Sequence, residues 1–163
     1  MNEIELKLCD VQGRLFELSV DNNLDSMSFV KKFMLSETAK DLDSEYNRMQ
    51  WAGEEYLLEE VTSKEDINQN NNAEVVSKEI MYWIGYIYRY WSYTQQKSSK
   101  QLYRCVKPKE LRSLYYPYHS LDPSQAIERI EEAKNVDDED MISKGVKILR
   151  EIIKKSDGQF GQK

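Results

Sequence analysis

Hydrophobic periodicity divides the chain into a short alternating N-terminal segment and a series of helical segments. Apolar side chains alternate with polar ones at Ile4, Leu6 and Leu8, a turn signal follows at residues 10–13, and a second apolar run occupies residues 15–20. Alternation at every second position is typical of a strand with one covered face. The pattern therefore predicts a short N-terminal β-hairpin, which must dock on helices because an isolated hairpin is only marginally stable.

The clearest helical pattern runs from Ser77 to about Gln95. Apolar residues recur with helical spacing on one face, and tyrosines form a second stripe farther around the cylinder: Ile80, Ile84, Ile87 and Trp91, then Tyr82, Tyr86, Tyr90 and Tyr93. A helix that is apolar or aromatic on nearly all sides is usually buried. The predicted fold class is mainly α (α+β), a helical bundle around this central aromatic helix with the hairpin at its N-terminus.

Capping residues and apolar spacing predict further helices on both sides of the central one. Residues 1–157 are expected to form a single domain, with a mobile Asn-rich loop at residues 62–73 and a disordered tail at residues 158–163. The remaining helices are expected from Asp25 or Ser26 to near Lys40, from about Ser44 to Val61, from Ser98 to Cys105, from Pro108 to Pro117, from an Asp122 cap through Ile130, and from Met141 to Ile153.

Charge is distributed unevenly along the chain, whose net charge is −6. Residues 1–66 carry 16 acidic and seven basic side chains, whereas residues 75–118 carry two acidic and eight basic ones together with nine of the 11 tyrosines. The basic segment fits packing beneath the acidic N-terminal half, a protein-binding surface, or a nucleic-acid surface. Arginine and tyrosine are enriched at the centres of protein interfaces, while the overall acidity counts against nucleic acid.

His119 is the only histidine, and it lies among aromatic residues. A catalytic base needs a nucleophile or a carboxylate within hydrogen-bond reach, and Ser120 and Asp122 are the nearby candidates. A single histidine among aromatic rings is more often a packed structural residue. A hydrolase that uses His119 is therefore the second alternative function.

The sequence has no residue pattern typical of a metal, cofactor or nucleotide site. Cys9 and Cys105 are isolated, and one histidine does not complete a tetrahedral metal site with them. A glycine-rich phosphate loop is absent from the sequence, and adjacent acidic residues on a helix point in different directions. We expect no metal, no cofactor and no enzymatic activity.

The compartment is predicted to be the cytoplasm. The N-terminal stretch Met1–Glu5 lacks the basic and apolar regions of a secretory signal. The apolar segment Ile80–Tyr93 is shorter than the roughly 20 residues that cross a bilayer, and it contains Arg89. We therefore expect no membrane partner.

Two short predicted helices, Ser98–Cys105 and Lys107–Tyr115, have the spacing of a helix-turn-helix reader. Most of the second helix is apolar, which leaves Lys109 and Arg112 to contact DNA. A DNA-binding transcriptional regulator of its own operon is the first alternative function.

Four short motifs within residues 74–133 resemble a family of small helical bacterial proteins. Members of that family look like neighbours of ADP-ribosyltransferase-like toxins in compact operons, so the resemblance implies an antitoxin role, without catalytic residues. Residues 1–61 lie outside the family and resemble only longer bacterial proteins. The motifs are Ile80-Met81-Tyr82-Trp83-Ile84, Ser99-Lys100-Gln101-Leu102-Tyr103, Tyr118-His119-Ser120-Leu121 and Ala126-Ile127-Glu128-Arg129-Ile130.

The leading hypothesis is a non-enzymatic protein-binding module, an antitoxin or accessory protein of a toxin-antitoxin system that neutralises a cognate bacterial toxin. The basic segment concentrates rings and cations without a reactive partner, which favours recognition over catalysis. The predicted partner is a protein, with nucleic acid as the weaker option. The predicted partner-binding residues are Arg104, Arg112, Tyr116, Tyr118 and His119.

Overall fold

A computed structural model describes residues 1–44, 51–64 and 72–160 of the chain. Within these ranges the chain forms eight α-helices and no strand, which confirms the prediction of a mainly α fold. The helices are α1 (Glu3–Asp21), α2 (Ser26–Met34), α3 (Glu37–Asp43), α4 (Glu54–Lys64), α5 (Lys78–Gln95), α6 (Ser99–Cys105), α7 (Pro108–Tyr118) and α8 (Pro123–Phe160).

The chain divides into two compact units, Met1–Ser124 and Gln125–Lys163. The first unit contains α1 to α7, and the second contains almost all of α8. The single domain predicted for residues 1–157 stays a prediction.

Helix α8 is one element where the sequence suggested two. Residues 137–140 continue the helix, because neither glycine nor proline interrupts the chain between Pro123 and Gly145. The helix also extends to Phe160, into the segment predicted as a tail, and residues 161–163 lie outside the described residues.

The predicted N-terminal β-hairpin is wrong, because residues 3–21 form the single helix α1. A capping box starts it: the Glu5 N–H donates to Asn2 Oδ1 at 2.8 Å, and the Asn2 N–H donates to Glu5 Oε2 at 2.9 Å. Ile4 and Leu6, which suggested alternation, are 49% and 42% exposed. The buried residues instead follow helical spacing: Leu8, Cys9, Gln12, Gly13, Leu15, Phe16 and Ser19.

Two glycines allow α1 and α5 to approach each other closely. A Cβ added at Gly13 would lie 2.6 Å from Tyr82 Cε2, and one added at Gly85 would lie 2.7 Å from the Gln12 carbonyl oxygen. Both distances are far below van der Waals contact, so neither position has room for a side chain. Gly13 was expected in a turn, but its absent side chain instead makes room for the Tyr82 ring.

Helix α5 is buried along most of its length. It packs along α1 and also contacts α6 and α7. Its buried residues include Ile84, Ile87 and Trp91 of the predicted apolar face, whereas Tyr82 and Tyr86 on the tyrosine stripe are partly exposed. The two predicted faces therefore differ in burial.

Three phenylalanines form an aromatic cluster between α1 and α2. Phe16 lies edge-on to Phe29 and to Phe33, with ring centroids 5.4 Å apart in both pairs. All three side chains are fully buried. Edge-to-face pairs of this kind add to the stability that burial of the rings provides.

The helix predicted from Asp25 or Ser26 to near Lys40 is divided into α2 and α3. The Asp25 carboxylate caps α2 by accepting from the Ser28 N–H at 3.0 Å. The Ser36 hydroxyl caps α3 by accepting from the Ala39 N–H at 3.2 Å. A second cap inside the predicted span starts a new helix.

Helix α4 occupies the second half of the helix predicted from Ser44 to Val61, and residues 45–50 lie outside the described residues. The predicted mobile loop at residues 62–73 begins within α4, and residues 65–71 of it also lie outside the described residues. The buried residues of α4 are Leu57, Leu58 and Val61.

Candidate functional site

The residues predicted to bind a partner lie on α6, on α7 and at the C-terminal cap of α7. Arg104 is exposed near the end of α6. Arg112 is partly exposed, and its Nη1 donates to Glu74 Oε1 at 2.7 Å, so part of its charge is already balanced. The remaining three residues, at the end of α7, are Tyr116, Tyr118 and His119.

Aromatic rings stack at the end of α7. Tyr115 lies edge-on to Trp83 of α5, with centroids 5.8 Å apart, and edge-on to Tyr116 at 5.4 Å. The His119 ring stacks on Tyr115 at 4.3 Å. Trp83 is only 9% exposed, whereas Tyr116 is 73% exposed. We call Tyr115, Tyr116 and His119 the α7 aromatic patch. Its exposed ring, Tyr116, packs against Tyr115, which in turn packs against the nearly buried Trp83.

Histidine 119 is held by backbone and ring contacts. Its Nδ1 lies 2.8 Å from the Tyr115 carbonyl oxygen, which only accepts, so Nδ1 carries the proton in this bond. Among the described residues no hydrogen bond joins His119 to Ser120 or Asp122. The geometry brings His119 to aromatic rings and not to the residues that a catalytic base would need.

An open groove of about 310 Å³ lies between α2 and the junction of α6 with α7. We call it the lysine groove, because three lysines line it. In the described part of the chain Lys31, Lys107 and Lys109 form no ion pair, and Lys107 Nζ lies 4.0 Å from the centroid of the Tyr103 ring. The groove is lined by Met27, Ser28, Lys31, Tyr103, Lys107, Pro108 and Lys109.

Arg89 of α5 is a fully buried cation, with a side chain that is 0% exposed. Its Nη1 donates to Asp43 Oδ1 at 2.6 Å, its Nε to Gln12 Oε1 at 2.7 Å and its Nη2 to Ser99 Oγ at 3.1 Å. These partners belong to α3, α1 and α6. The buried cation therefore links four helices, and we call these residues the Arg89 network.

The carboxylate of Asp43 is also well satisfied. Besides Arg89, it accepts from the Ser99 N–H at 2.9 Å and from the Ser99 hydroxyl at 2.7 Å. The Gln12 amide completes the arrangement by donating to the Gly85 carbonyl at 2.9 Å. A buried ion pair whose hydrogen-bonding groups are satisfied in this way needs no ligand.

An open cleft of about 510 Å³ lies beside the Arg89 network. Burial raises the pKa of Tyr93 to about 12, against the opposing effect of the Arg89 charge, and the Tyr93 hydroxyl donates to the Leu42 carbonyl at 2.9 Å. The cleft offers mainly hydroxyl, amide and carboxylate groups that already hold helices together. It is lined by Glu5, Asp43, Ser92, Tyr93, Gln96, Lys97, Ser98 and Gln101.

The Arg89 network and the lysine groove were both missed by sequence reasoning. Arg89 was noted only as a charge inside an apolar segment. A cation in a buried helix requires an anion, so Arg89 in this segment predicts an acidic partner. The sequence alone does not show which of the 29 acidic residues that partner is. The groove depends on α2 lying beside α6 and α7, which no local pattern encodes.

The described residues offer no cluster suited to a metal ion and no helix suited to crossing a membrane. These residues contain no group of three or more His, Cys, Asp or Glu side chains arranged to hold a metal ion. None of their helices combines the length and the apolar character that crossing a bilayer requires.

A scan against protein-family models finds no match to the chain, and neither a curated protein nor a solved structure matches it. The resemblance to antitoxin-like helical proteins therefore stays a prediction.

Proposed function

We propose that this protein is a non-enzymatic, cytoplasmic protein-binding module that neutralises a cognate bacterial toxin. The α7 aromatic patch is the centre of the binding surface, with Arg104, Arg112 and Tyr118 contributing around it. The proposal extends the antitoxin role that the sequence resemblance implies to a defined set of side chains.

The observation that carries this proposal is the exposed ring of Tyr116. It is 73% exposed, yet its neighbour Tyr115 packs edge-on against the nearly buried Trp83. An aromatic side chain supported in this way loses little conformational freedom on binding, which lowers the cost of association. Tyrosine and arginine are also the residue types that most often dominate the binding energy of protein interfaces.

The lysine groove adds a preference for the charge of the partner. Lys31, Lys107 and Lys109 supply positive charge that no described residue neutralises through an ion pair. Complementary charge accelerates association and rejects wrong partners. The expected partner therefore presents an acidic surface with an apolar centre.

The proposal predicts a toxin-like gene beside the gene for this chain, and the direct test uses the product of that gene as the binding probe. Isothermal titration should show binding to the wild-type chain, and Tyr116→Ala should weaken it roughly 30-fold, which corresponds to about 2 kcal/mol. Tyr56→Ala is the matched control, because Tyr56 is 50% exposed on α4, away from the patch in sequence, and should bind like wild type. Equal affinity of all three proteins, or no binding at all, would contradict the proposal.

The alternative of DNA binding draws on one structural observation. Helices α6 and α7 are consecutive and short, as a helix-turn-helix requires, and Lys109 is exposed at the start of α7. Arg112, the other expected DNA contact, is paired with Glu74. A gel shift with the promoter of its own operon at low salt separates the two functions, because only a DNA-binding regulator retards that fragment and loses it as salt rises.

The hydrolase alternative is tested by His119→Ala. A catalytic role predicts that hydrolysis is lost while the thermal midpoint stays the same. A structural role predicts a lower midpoint, because the ring stacks on Tyr115.

A further inference from the structure

The C-terminal half of α8 exposes a row of apolar side chains. At about 100° per residue these side chains fall on one arc of about 160°, and charged residues cover the opposite face. Monomeric proteins rarely expose a contiguous apolar patch of this kind. The exposed fractions are 71% for Met141, 67% for Ile142, 42% for Val146, 58% for Ile148, 60% for Leu149, 57% for Ile152 and 58% for Ile153.

The apolar arc consists of two adjacent seams, each with the alternating four- and three-residue spacing of a helix that packs against another helix. The first seam has β-branched or γ-branched aliphatic residues at every position, and the second has one glycine. A single neighbouring helix covers one seam, so covering both requires two neighbours. The seams are Ile142, Val146, Leu149 and Ile153, and then Met141, Gly145, Ile148 and Ile152.

The exposed area is large enough for stable association. Seven side chains at roughly 100 Å² each correspond to about 700 Å² per chain. A standard protein interface buries about 800 Å² per partner. The whole arc therefore approaches the size of one standard interface, and two neighbours share it at about 350 Å² each.

The charges at the two edges of the arc identify the neighbour. One edge carries Arg150 and Asp157, and the other carries Lys144, Glu151 and Lys155, with the uncharged Ser143 at the level of Lys144 on the first edge. In a ring of parallel helices each first edge faces the second edge of the next helix, which places Arg150 opposite Glu151 and Asp157 opposite Lys155 at nearly equal heights. Opposite charges meet at both levels, so this helix is complementary to copies of itself.

The composition of the arc also separates self-association from membrane binding. Helices that lie in a lipid interface usually present Trp or Phe together with Leu. Residues 141–158 contain no aromatic residue, and their apolar positions are aliphatic side chains of the kind that fill helical bundles.

We propose that α8 assembles this chain with further copies of itself into a bundle of three or more parallel helices, in which every α8 contacts two neighbours through its two seams. This assembly does not depend on the proposed toxin-binding function, because it uses none of the residues of the α7 aromatic patch.

Sedimentation equilibrium or size exclusion with light scattering tests the assembly on the full chain. The wild type should have at least three times the 19.3 kDa mass of one chain. Leu149→Lys in the first seam and Ile152→Lys in the second should each yield single chains, because every contact in the ring joins the first seam of one helix to the second seam of the next. Asp140→Lys introduces the same side chain on the polar face and should assemble like wild type.

Circular dichroism keeps the result interpretable. The seam variants should have the same helicity and thermal midpoint as wild type at a dilution where its chains are separate, because the substituted side chains are exposed in the single chain. A wild type that stays a single chain up to submillimolar concentration overturns the proposal, and so does a closed dimer. Co-sedimentation of a single-chain wild type with phosphatidylcholine and phosphatidylglycerol vesicles would overturn it in favour of a membrane surface.

A charge exchange tests the parallel arrangement. Asp157→Lys places like charges against Lys155 and should raise the dissociation concentration roughly two- to five-fold, the effect of an exposed ion pair. Adding Lys155→Asp restores opposite charges and should restore assembly. If the double variant dissociates as readily as Asp157→Lys, the parallel ring is wrong.

Discussion

The Arg89 network and the C-terminal half of α8 depart from the usual distribution of polar and apolar residues in opposite ways. The network places a charge inside the molecule, with a side chain that is 0% exposed. The helix places seven large aliphatic side chains outside it. Both arrangements cost free energy unless a partner is present.

The difference lies in where the partner comes from. Arg89 finds Asp43, Gln12 and Ser99 on three other helices of the same chain, so the cost of burying its charge is offset within the fold. For the apolar arc of α8, we infer that the offset comes from other copies. A buried charge whose partners lie in the same chain therefore belongs to the fold. An exposed apolar surface whose partner must come from another molecule is a surface for recognition.

The largest effect should follow from breaking the network. Arg89→Met leaves the Asp43 carboxylate without its cation, and loss of one partner of a buried pair costs about 3–5 kcal/mol of unfolding free energy. Arg14→Met is the matched control, because the Arg14–Asp10 pair lies at the surface, with the Arg14 side chain 57% exposed, and should cost less than about 1 kcal/mol. Urea unfolding measures both, and equal losses would contradict a structural role for the network.

A pH series should show the burial of Tyr93 beside the same network. Burial raises its pKa to about 12, so the native state holds a proton that the unfolded chain releases from about pH 10. The resulting stability is complete below pH 10 and is lost as pH rises through 12, with a total of about 3 kcal/mol.

Tyr93→Phe isolates this contribution, because burial also raises the pKa of Cys9 to about 12 and both proteins keep that thiol. The free-energy difference between wild type and variant should stay constant up to about pH 10 and then narrow. A difference that is constant across the whole series would show that Tyr93 titrates normally.

Gly85 in the buried helix α5 and Gly145 in α8 offer a further contrast between the interior and the exposed helix. Gly85→Ala should destabilise the chain by about 1–3 kcal/mol, because its Cβ would lie 2.7 Å from the Gln12 carbonyl oxygen. Gly145→Ala in α8 meets no atom within 4 Å and should stabilise that helix by up to about 1 kcal/mol. Thermal unfolding measures the first change, and amide hydrogen exchange along α8 measures the second. Effects of the same sign would remove the contrast.

The smallest effect on the fold is expected in the apolar arc itself. In dilute solution, where chains are separate, Leu149→Ala should change the unfolding free energy by no more than about 0.5 kcal/mol. The same change at Leu57, which is fully buried in α4, should cost about 2–5 kcal/mol. Denaturant unfolding of the pair compares them, and a comparable loss at Leu149 would show that the arc is covered within the chain.

Much of the helical architecture was predictable from local patterns. The starts of α2, α6 and α7 were recognised from capping residues and proline, because these features act within one turn of the chain. Position 13 shows the limit of this approach. A glycine after an alternating stretch has the same appearance whether it makes a turn or admits the ring of Tyr82.

The candidate sites were predictable only in part. The concentration of tyrosine and arginine pointed to α7, and Tyr116 is indeed exposed there. The edge-on packing of Tyr115 against Trp83 and the pairing of Arg112 with Glu74 depend on contacts between residues 32 and 38 positions apart. Neither contact has a local signature.

By itself the sequence determined the helical class, the burial of α5 and the amphipathic character of α8, because periodicity and capping depend on neighbours within a few residues. Only the tertiary structure decided that Gly13 makes room for the Tyr82 ring, that Arg89 meets Asp43, and that three lysines share one groove. The physical reason is that a buried charge needs a partner and a buried glycine leaves space for a neighbouring side chain. The packing of distant helices decides which residue becomes that partner or fills that space.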